Sequence, residues 1–124
     1  MKTLADWERY IETLAPPNRV ELGLERVGQV WNSLTQVAPK QVITVAGTNG
    51  KGSAVEAAGV LAKAQGLAYG QYTSPHIYAI QERVRVAGVQ VSGHELVRAF
   101  EMVESARGSI FLTYFEFLTL AAFV

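Results

Sequence analysis

A three-layer α/β fold with a mainly parallel sheet is the architecture this sequence predicts. Three observations carry it. Gln41 to Ala46 is a short, β-branched, apolar run of the kind that forms a buried strand. A glycine-rich turn, Gly47 to Gly52, follows it and leads into an alanine-rich helical stretch from Ser53 to Gln65. A second apolar run, Leu67 to Thr73, then completes a strand–loop–helix–strand unit, which is how a parallel sheet opens.

The other elements follow in chain order. Trp7, Tyr10, Ile11 and Leu14 are offset by three, four and seven residues and mark one face of a helix over Asp6 to Leu14. Pro16-Pro17 ends it. Leu24, Val27, Val30, Trp31 and Leu34 mark a second helix from about Leu22 to Val37, with Pro39 just beyond. Trp7 and Trp31 are expected in the core. In the alanine-rich helix, small residues predict close packing on a sheet, and Gly66 suits its C-terminal cap. Ser74-Pro75-His76 opens an irregular loop. Glu82 to Val86 alternates polar and apolar residues, and Ala87-Gly88 turns it into Val89-Gln90-Val91, a hairpin at one edge of the sheet. Ser92 to Glu95 fits a capping box for a helix reaching Arg107, with Gly108 after it. Phe115 to Val124 reads as an apolar helix without a C-terminal cap. That ending predicts a fragment of a longer protein, with an apolar face exposed near Phe115 to Val124 and self-association as a result.

Composition narrows the function. The 124 residues are 49% hydrophobic and 18% charged, which is globular. Eleven basic residues balance eleven acidic ones, so nothing points to nucleic acid or an anionic membrane. With no cysteine, disulfides and thiolate zinc sites are excluded, and a cytoplasmic location fits. No apolar run is long enough to predict a membrane span.

The strongest chemical signal is Val45-Ala46-Gly47-Thr48-Asn49-Gly50-Lys51-Gly52-Ser53, between a predicted strand and a predicted helix. Glycines let several N–H groups turn inward, and the helix N-terminus adds partial positive charge. Lys51 supplies a full charge for terminal phosphates, and Ser53 or Thr48 a hydroxyl for a phosphate oxygen or a magnesium ion. The standard nucleotide loop has Gly where this chain has Val45, and Ser or Thr where it has Gly52. The same residues also read as a glycine-rich turn with a surface lysine. The coincidence of Gly47, Gly50, Lys51 and Gly52 in this context favours phosphate.

Gly47-Thr48-Asn49-Gly50-Lys51-Gly52-Ser53 resembles the loop of the Mur-ligase superfamily. The glycine between Lys and Ser resembles its dihydrofolate synthase/folylpolyglutamate synthase branch. Leu22-Gly23-Leu24-Glu25-Arg26-Val27 resembles that family's N-terminal signature. Tyr72-Thr73-Ser74-Pro75-His76 with Glu82-Arg83-Val84-Arg85-Val86 resembles its loop after the second strand. Leu112-Thr113-Tyr114-Phe115-Glu116 resembles a substrate-site segment. The resemblance implies an ATP-dependent ligase that adds L-glutamate to dihydropteroate and to reduced folates through an acyl phosphate. It implies that Gly47, Thr48, Asn49, Gly50, Lys51, Gly52 and Ser53 hold ATP, with Lys51 catalytic, and that Ser74 ligates Mg2+. Thr113, Tyr114, Phe115 and Glu116 would line the pterin pocket, with Thr13, Leu14, Ala15 and Pro16 across from them. Here Ala15-Pro16 replaces the His-Ser pair expected from the family. By the same resemblance the chain is the N-terminal part of the ATP-binding domain. The rest of that domain and the C-terminal glutamate-binding domain lie outside it, so the isolated fragment is expected to be inactive. The complete protein is expected to be a monomer.

Each residue also has a plainer reading. Ser74 also reads as the start of a turn before Pro75, and His76 as either a ligand-site residue or a loop hydrogen-bonding one. His94 fits an exposed first-turn position. Glu116 stands as a lone carboxylate in an apolar helix, and its burial would be unfavourable unless paired, which points to a site. Arg85 fits a solvated strand face, and Arg83 fits that or a substrate clamp. Two other functions compete. A ligase of cell-wall peptide precursors would carry Ser or Thr directly after Lys51 and a domain ahead of the loop, for which 46 residues are too few. A non-catalytic nucleotide-binding module is the other.

Overall fold

The computed structural model describes Lys2–Leu34 and Val37–Val124. Among these residues, five α-helices and three short strands form two compact units, one of residues 1–38 with 93–124, the other of 39–92.

The first unit is helical: α1 (Leu4–Leu14), α2 (Glu25–Ser33), α4 (Gly93–Arg107) and α5 (Tyr114–Phe123). α1 starts at a capping box in which Thr3 and Asp6 exchange side-chain and backbone bonds. Its predicted face buries Trp7 and Ile11. Trp7 packs against Phe100 of α4 and Phe117 of α5 at ring-centroid distances of 5.9 and 6.5 Å, and the two phenyl rings meet edge-on at 5.9 Å. Val30, Leu96, Val103, Leu112, Leu118 and Leu120 fill the rest of this core. Tyr10 Oη donates to Glu104 at 2.6 Å, and Arg107 grips the same carboxylate at 2.7 and 2.9 Å, tying α1 to the end of α4.

Three expectations need correction here. The second helix begins at Glu25 because Gly23, at φ 117°, breaks the entry, and Leu22 and Leu24 are exposed. Thr35 and Gln36 of the predicted span lie outside the described residues. Trp31 is half-buried, edge-on to Phe123 at 6.1 Å. The apolar C-terminal helix turns most of its surface inward: Tyr114, Phe117, Leu118, Leu120 and Ala121 are buried, leaving Phe115 and Phe123 partly exposed. Its apolar residues are absorbed by α1, α2 and α4, so the expected exposed face is reduced to these two rings.

The second unit holds α3 (Lys51–Ala64) and an antiparallel sheet of β1 (Gly70–Tyr72), β2 (Val84–Val86) and β3 (Val89–Gln90). β2 lies between its neighbours, with Gln71 opposite Arg85 and Val86 opposite Val89. The hairpin turn is Ala87-Gly88, at φ 52° and 82°, the positive pair that a two-residue reverse turn needs. Small residues on α3 do permit close packing. A Cβ on Gly59 would sit 2.4 Å from Gln71 Nε2, which donates instead to the Val55 carbonyl at 2.9 Å.

The mainly parallel sheet is not found among the described residues, where all strand pairs are antiparallel. Gln41 to Ala46 is not a strand; Val42 and Ile43 are 58% and 72% exposed. The physical reason is that strand propensity is realised by ladder partners, and no described strand pairs with this segment. None of the described helices is long and apolar enough to cross a membrane.

Candidate functional site

The loop expected to hold phosphate leads directly into α3. Gly47 at φ 150° and Gly50 at φ 76° take backbone conformations that side chains disfavour. Gly50 is the N-cap residue, and the first bond within the helix runs from Ala54 N–H to the Gly50 carbonyl at 3.0 Å. The first-turn N–H groups of Lys51, Gly52 and Ser53 therefore precede the intrahelical ladder, as an anion-binding helix start requires. Lys51 Nζ donates back to the Gly47 carbonyl across the turn. Thr48, Asn49, Lys51 and Ser53 are all exposed.

Ser74 lies in the same unit. Together with Gly52, Val55, Glu56, Gln71, Thr73, Pro75 and Arg85 it lines a cleft of about 260 Å³ beside the start of α3. The Ser74–Pro75 peptide is cis. Arg85 reaches from β2 to Glu56 of α3 at 2.8 Å, which closes one side of the cleft. Among the described residues no three His, Cys, Asp or Glu side chains gather around a point. A cation here would rest on few protein oxygens, a hydroxyl such as Ser74 Oγ and the phosphates themselves, the donor set that suits magnesium.

The loop after Ser74 is held by Glu82. Its carboxylate accepts the N–H groups of Ile77, Tyr78 and Ala79 at 3.0, 2.7 and 2.5 Å. Those bonds, Ile77 first, hold the Glu82 carboxyl below its ordinary value. Arg83, buried, donates to His76 Nδ1 at 2.8 Å, so His76 does form a loop hydrogen bond. His94 is exposed, as expected.

The residues expected to face a pterin all lie in the helical unit, where α1 packs on α5. Thr13 and Pro16 are exposed, Leu14 is half-buried and Ala15 is wholly buried. Phe115 is 52% exposed, while Thr113, Tyr114 and Glu116 are buried. Thr113 and Glu116 form the capping box of α5: Glu116 N–H donates to Thr113 Oγ1 at 3.2 Å, and Thr113 N–H to Glu116 Oε1 at 3.0 Å. Arg26 adds three contacts to the Glu116 carboxylate at 3.2 to 3.3 Å. Glu116 is thus not a lone carboxylate, and its burial has a structural cause. Thr-x-x-Glu before an apolar run was a signal for that cap. No local pattern pointed to the Arg26 partner, 90 residues away.

A glycine-built helix start, a lysine folded over it and a hydroxyl-lined cleft alongside are the features expected of a phosphate-binding element in an α/β nucleotide-dependent ligase. Comparison with known proteins is consistent with that class. No family model matches the chain. The chain is 44% identical over 120 residues to the dihydrofolate synthase/folylpolyglutamate synthase of Escherichia coli K12, a match covering 96% of this chain and 28% of that protein. The structure of E. coli FolC in complex with DHPP and ADP superposes with a TM-score of 0.91 at 43% identity, over 98% of this chain and 30% of that one. The bifunctional folylpolyglutamate synthase/dihydrofolate synthase of Yersinia pestis, complexed with AMPPNP and Mn ion, gives 0.88 at 44%, over 99% and 30%. Over nearly its whole length the chain is homologous to dihydrofolate synthase/folylpolyglutamate synthase, of which it spans less than a third.

Proposed function

We propose that the chain forms the phosphate- and cation-binding part of an ATP-dependent ligase that adds L-glutamate to dihydropteroate and to reduced folates. The observation that carries this reading is the cleft, lined by Ser74 and Gly52 among others, beside the N-terminus of α3. The matched relatives carry the corresponding names, and their structures are described with ADP, AMPPNP, Mn and DHPP.

On this reading the N–H groups of Gly50 to Ser53 and the Lys51 ammonium neutralise the ATP phosphates, while Ser74 gives its hydroxyl oxygen to Mg2+. The magnesium ion supplies charge neutralisation for the transferred phosphoryl group. Transfer of the γ-phosphoryl group to the pterin carboxylate breaks its bond to ADP, which leaves, and gives an acyl phosphate; the glutamate amine then attacks the acyl carbon and loses a proton, and phosphate leaves as the amide forms. Such a transfer depends on positioning and electrostatics more than on covalent help from side chains. Thr13, Leu14 and Pro16 with Phe115 offer the accessible part of a pterin-facing surface; Ala15, Thr113, Tyr114 and Glu116 would shape it from behind. In the complete protein, Gln41 to Ala46 would join a mainly parallel sheet. A cytoplasmic enzyme fits the lack of cysteine.

The test is phosphate release by the full-length protein with ATP, magnesium, L-glutamate and dihydropteroate. Release that needs all four, and falls at least about a hundredfold in Lys51→Ala, is the expected result. Release independent of any pterin or folate would overturn the assignment.

A further inference from the structure

Ser74 has no rigid element of its own; it sits in a loop between β1 and a single 3₁₀ turn, Ile80–Arg83. Yet both flanks of Ser74 are tied to two adjacent residues of that turn. On the near side, Thr73 N–H donates to the Arg83 carbonyl at 2.9 Å. On the far side, His76 Nδ1 accepts from Arg83 Nε at 2.8 Å, and the next three N–H groups converge on the Glu82 carboxylate. A carboxylate accepting several backbone N–H groups forms charge-assisted bonds of about twice the usual strength. Arg83 is buried and Ile80 beside it is almost fully so, which anchors the turn in its unit.

We infer that Glu82 and Arg83 are positioning residues for the Ser74 cation site: they fix the loop from both sides and so hold the Ser74 hydroxyl in the cleft beside α3. The inference rests on the reading of Ser74 as a magnesium ligand. Neither residue lines the cleft itself, so their effect reaches the cation through loop geometry. A ligand held within about half an ångström of its productive position by a supporting shell binds better than one left to a mobile loop.

The experiment measures Mn2+ affinity in the presence of AMPPNP, on the full-length protein, by electron paramagnetic resonance of free Mn2+. The variants are Glu82→Gln, Ser74→Ala and the double variant; AMPPNP affinity without metal is measured in parallel. Glu82→Gln keeps the side chain's size but replaces one acceptor oxygen with an N–H donor that faces the loop's own N–H groups. The expected result is a five- to twentyfold weaker Mn2+ affinity in Glu82→Gln with metal-free AMPPNP binding unchanged. In the Ser74→Ala background, Glu82→Gln should add nothing further. Full affinity in Glu82→Gln beside weakened affinity in Ser74→Ala would overturn the positioning role and leave the ligand reading intact. Additive losses would also overturn it, since Glu82 would then act by another route. Unchanged affinity in Ser74→Ala would overturn the ligand reading and the inference with it. Loss of metal-free AMPPNP binding in Glu82→Gln would show a general structural effect and likewise overturn it.

Discussion

Replacing Arg26 with methionine keeps most of the aliphatic stem and removes the guanidinium that meets Glu116. The Glu116 side chain is 10% exposed and that of Arg26 23%. Breaking a fully buried pair by deleting one partner destabilises by about 3–5 kcal/mol, whereas exposed pairs contribute about 0–1 kcal/mol. Here Glu116 keeps the Thr113 N–H, and water can reach part of the space the guanidinium leaves. The expected loss lies between those limits, at about 2 kcal/mol, or roughly thirtyfold in the unfolding equilibrium. With a urea slope of about 1–2 kcal/mol/M, the midpoint should fall by about 1–2 M. Tryptophan fluorescence is a suitable readout because Trp7 and Trp31 both lie in the helical unit with this pair. Glu116→Gln keeps an acceptor for Thr113 and should lose less, about 1 kcal/mol. The double variant should lose less than the sum, since the remaining charge is no longer stranded. A loss below about 0.5 kcal/mol for Arg26→Met, or strictly additive losses, would refute the view that this pair supports α5.

Two further outcomes are expected. Burial pushes the Glu104 carboxyl up, but hydrogen bonds from Arg107 and Tyr10 outweigh it and leave the group below its ordinary value of 4.5. A lowered folded value means that its stabilisation is present above 4.5 and is lost as pH falls further. The urea midpoint of the helical unit should drop across that window, and Arg107→Met should flatten the slope; an unchanged slope would count against it. Gly50→Ala should destabilise by about 1–2 kcal/mol from backbone strain at positive φ. A Cβ there meets nothing within 4 Å, so Gly50→Asn, which tolerates this conformation better, should lose less when the two variants are compared by thermal melting.

Features with short-range causes were legible in the sequence. The offsets of Trp7, Tyr10, Ile11 and Leu14 revealed α1, and the run Glu82 to Val91 revealed the hairpin and its Ala87-Gly88 turn, because each is decided within a few residues. The glycine-rich turn leading into α3 was legible for the same reason. The segment Gln41 to Ala46 was not, because a strand is settled by what lies beside it. Glu116 was misjudged in its cause: apolar neighbours made it look solitary, when Thr113, three residues earlier, and Arg26, 90 residues earlier, were its partners. The Glu82 clamp was hidden in an alternating pattern that gave it to a strand, whereas it lies in a 3₁₀ turn.

The helical unit is assembled from two stretches of chain separated by the other unit. Trp7 finds Phe100 and Phe117, Tyr10 finds Glu104, and Arg26 finds Glu116 only across sequence separations of 90 residues or more. During synthesis α1 and α2 therefore leave the ribosome with their apolar faces uncovered and must wait for α4 and α5. The unit of residues 39–92 is contiguous and can close while they wait. The order of emergence thus sets a period in which Trp7 and Ile11 are open to chaperones, and a stall before α4 and α5 emerge would leave them so.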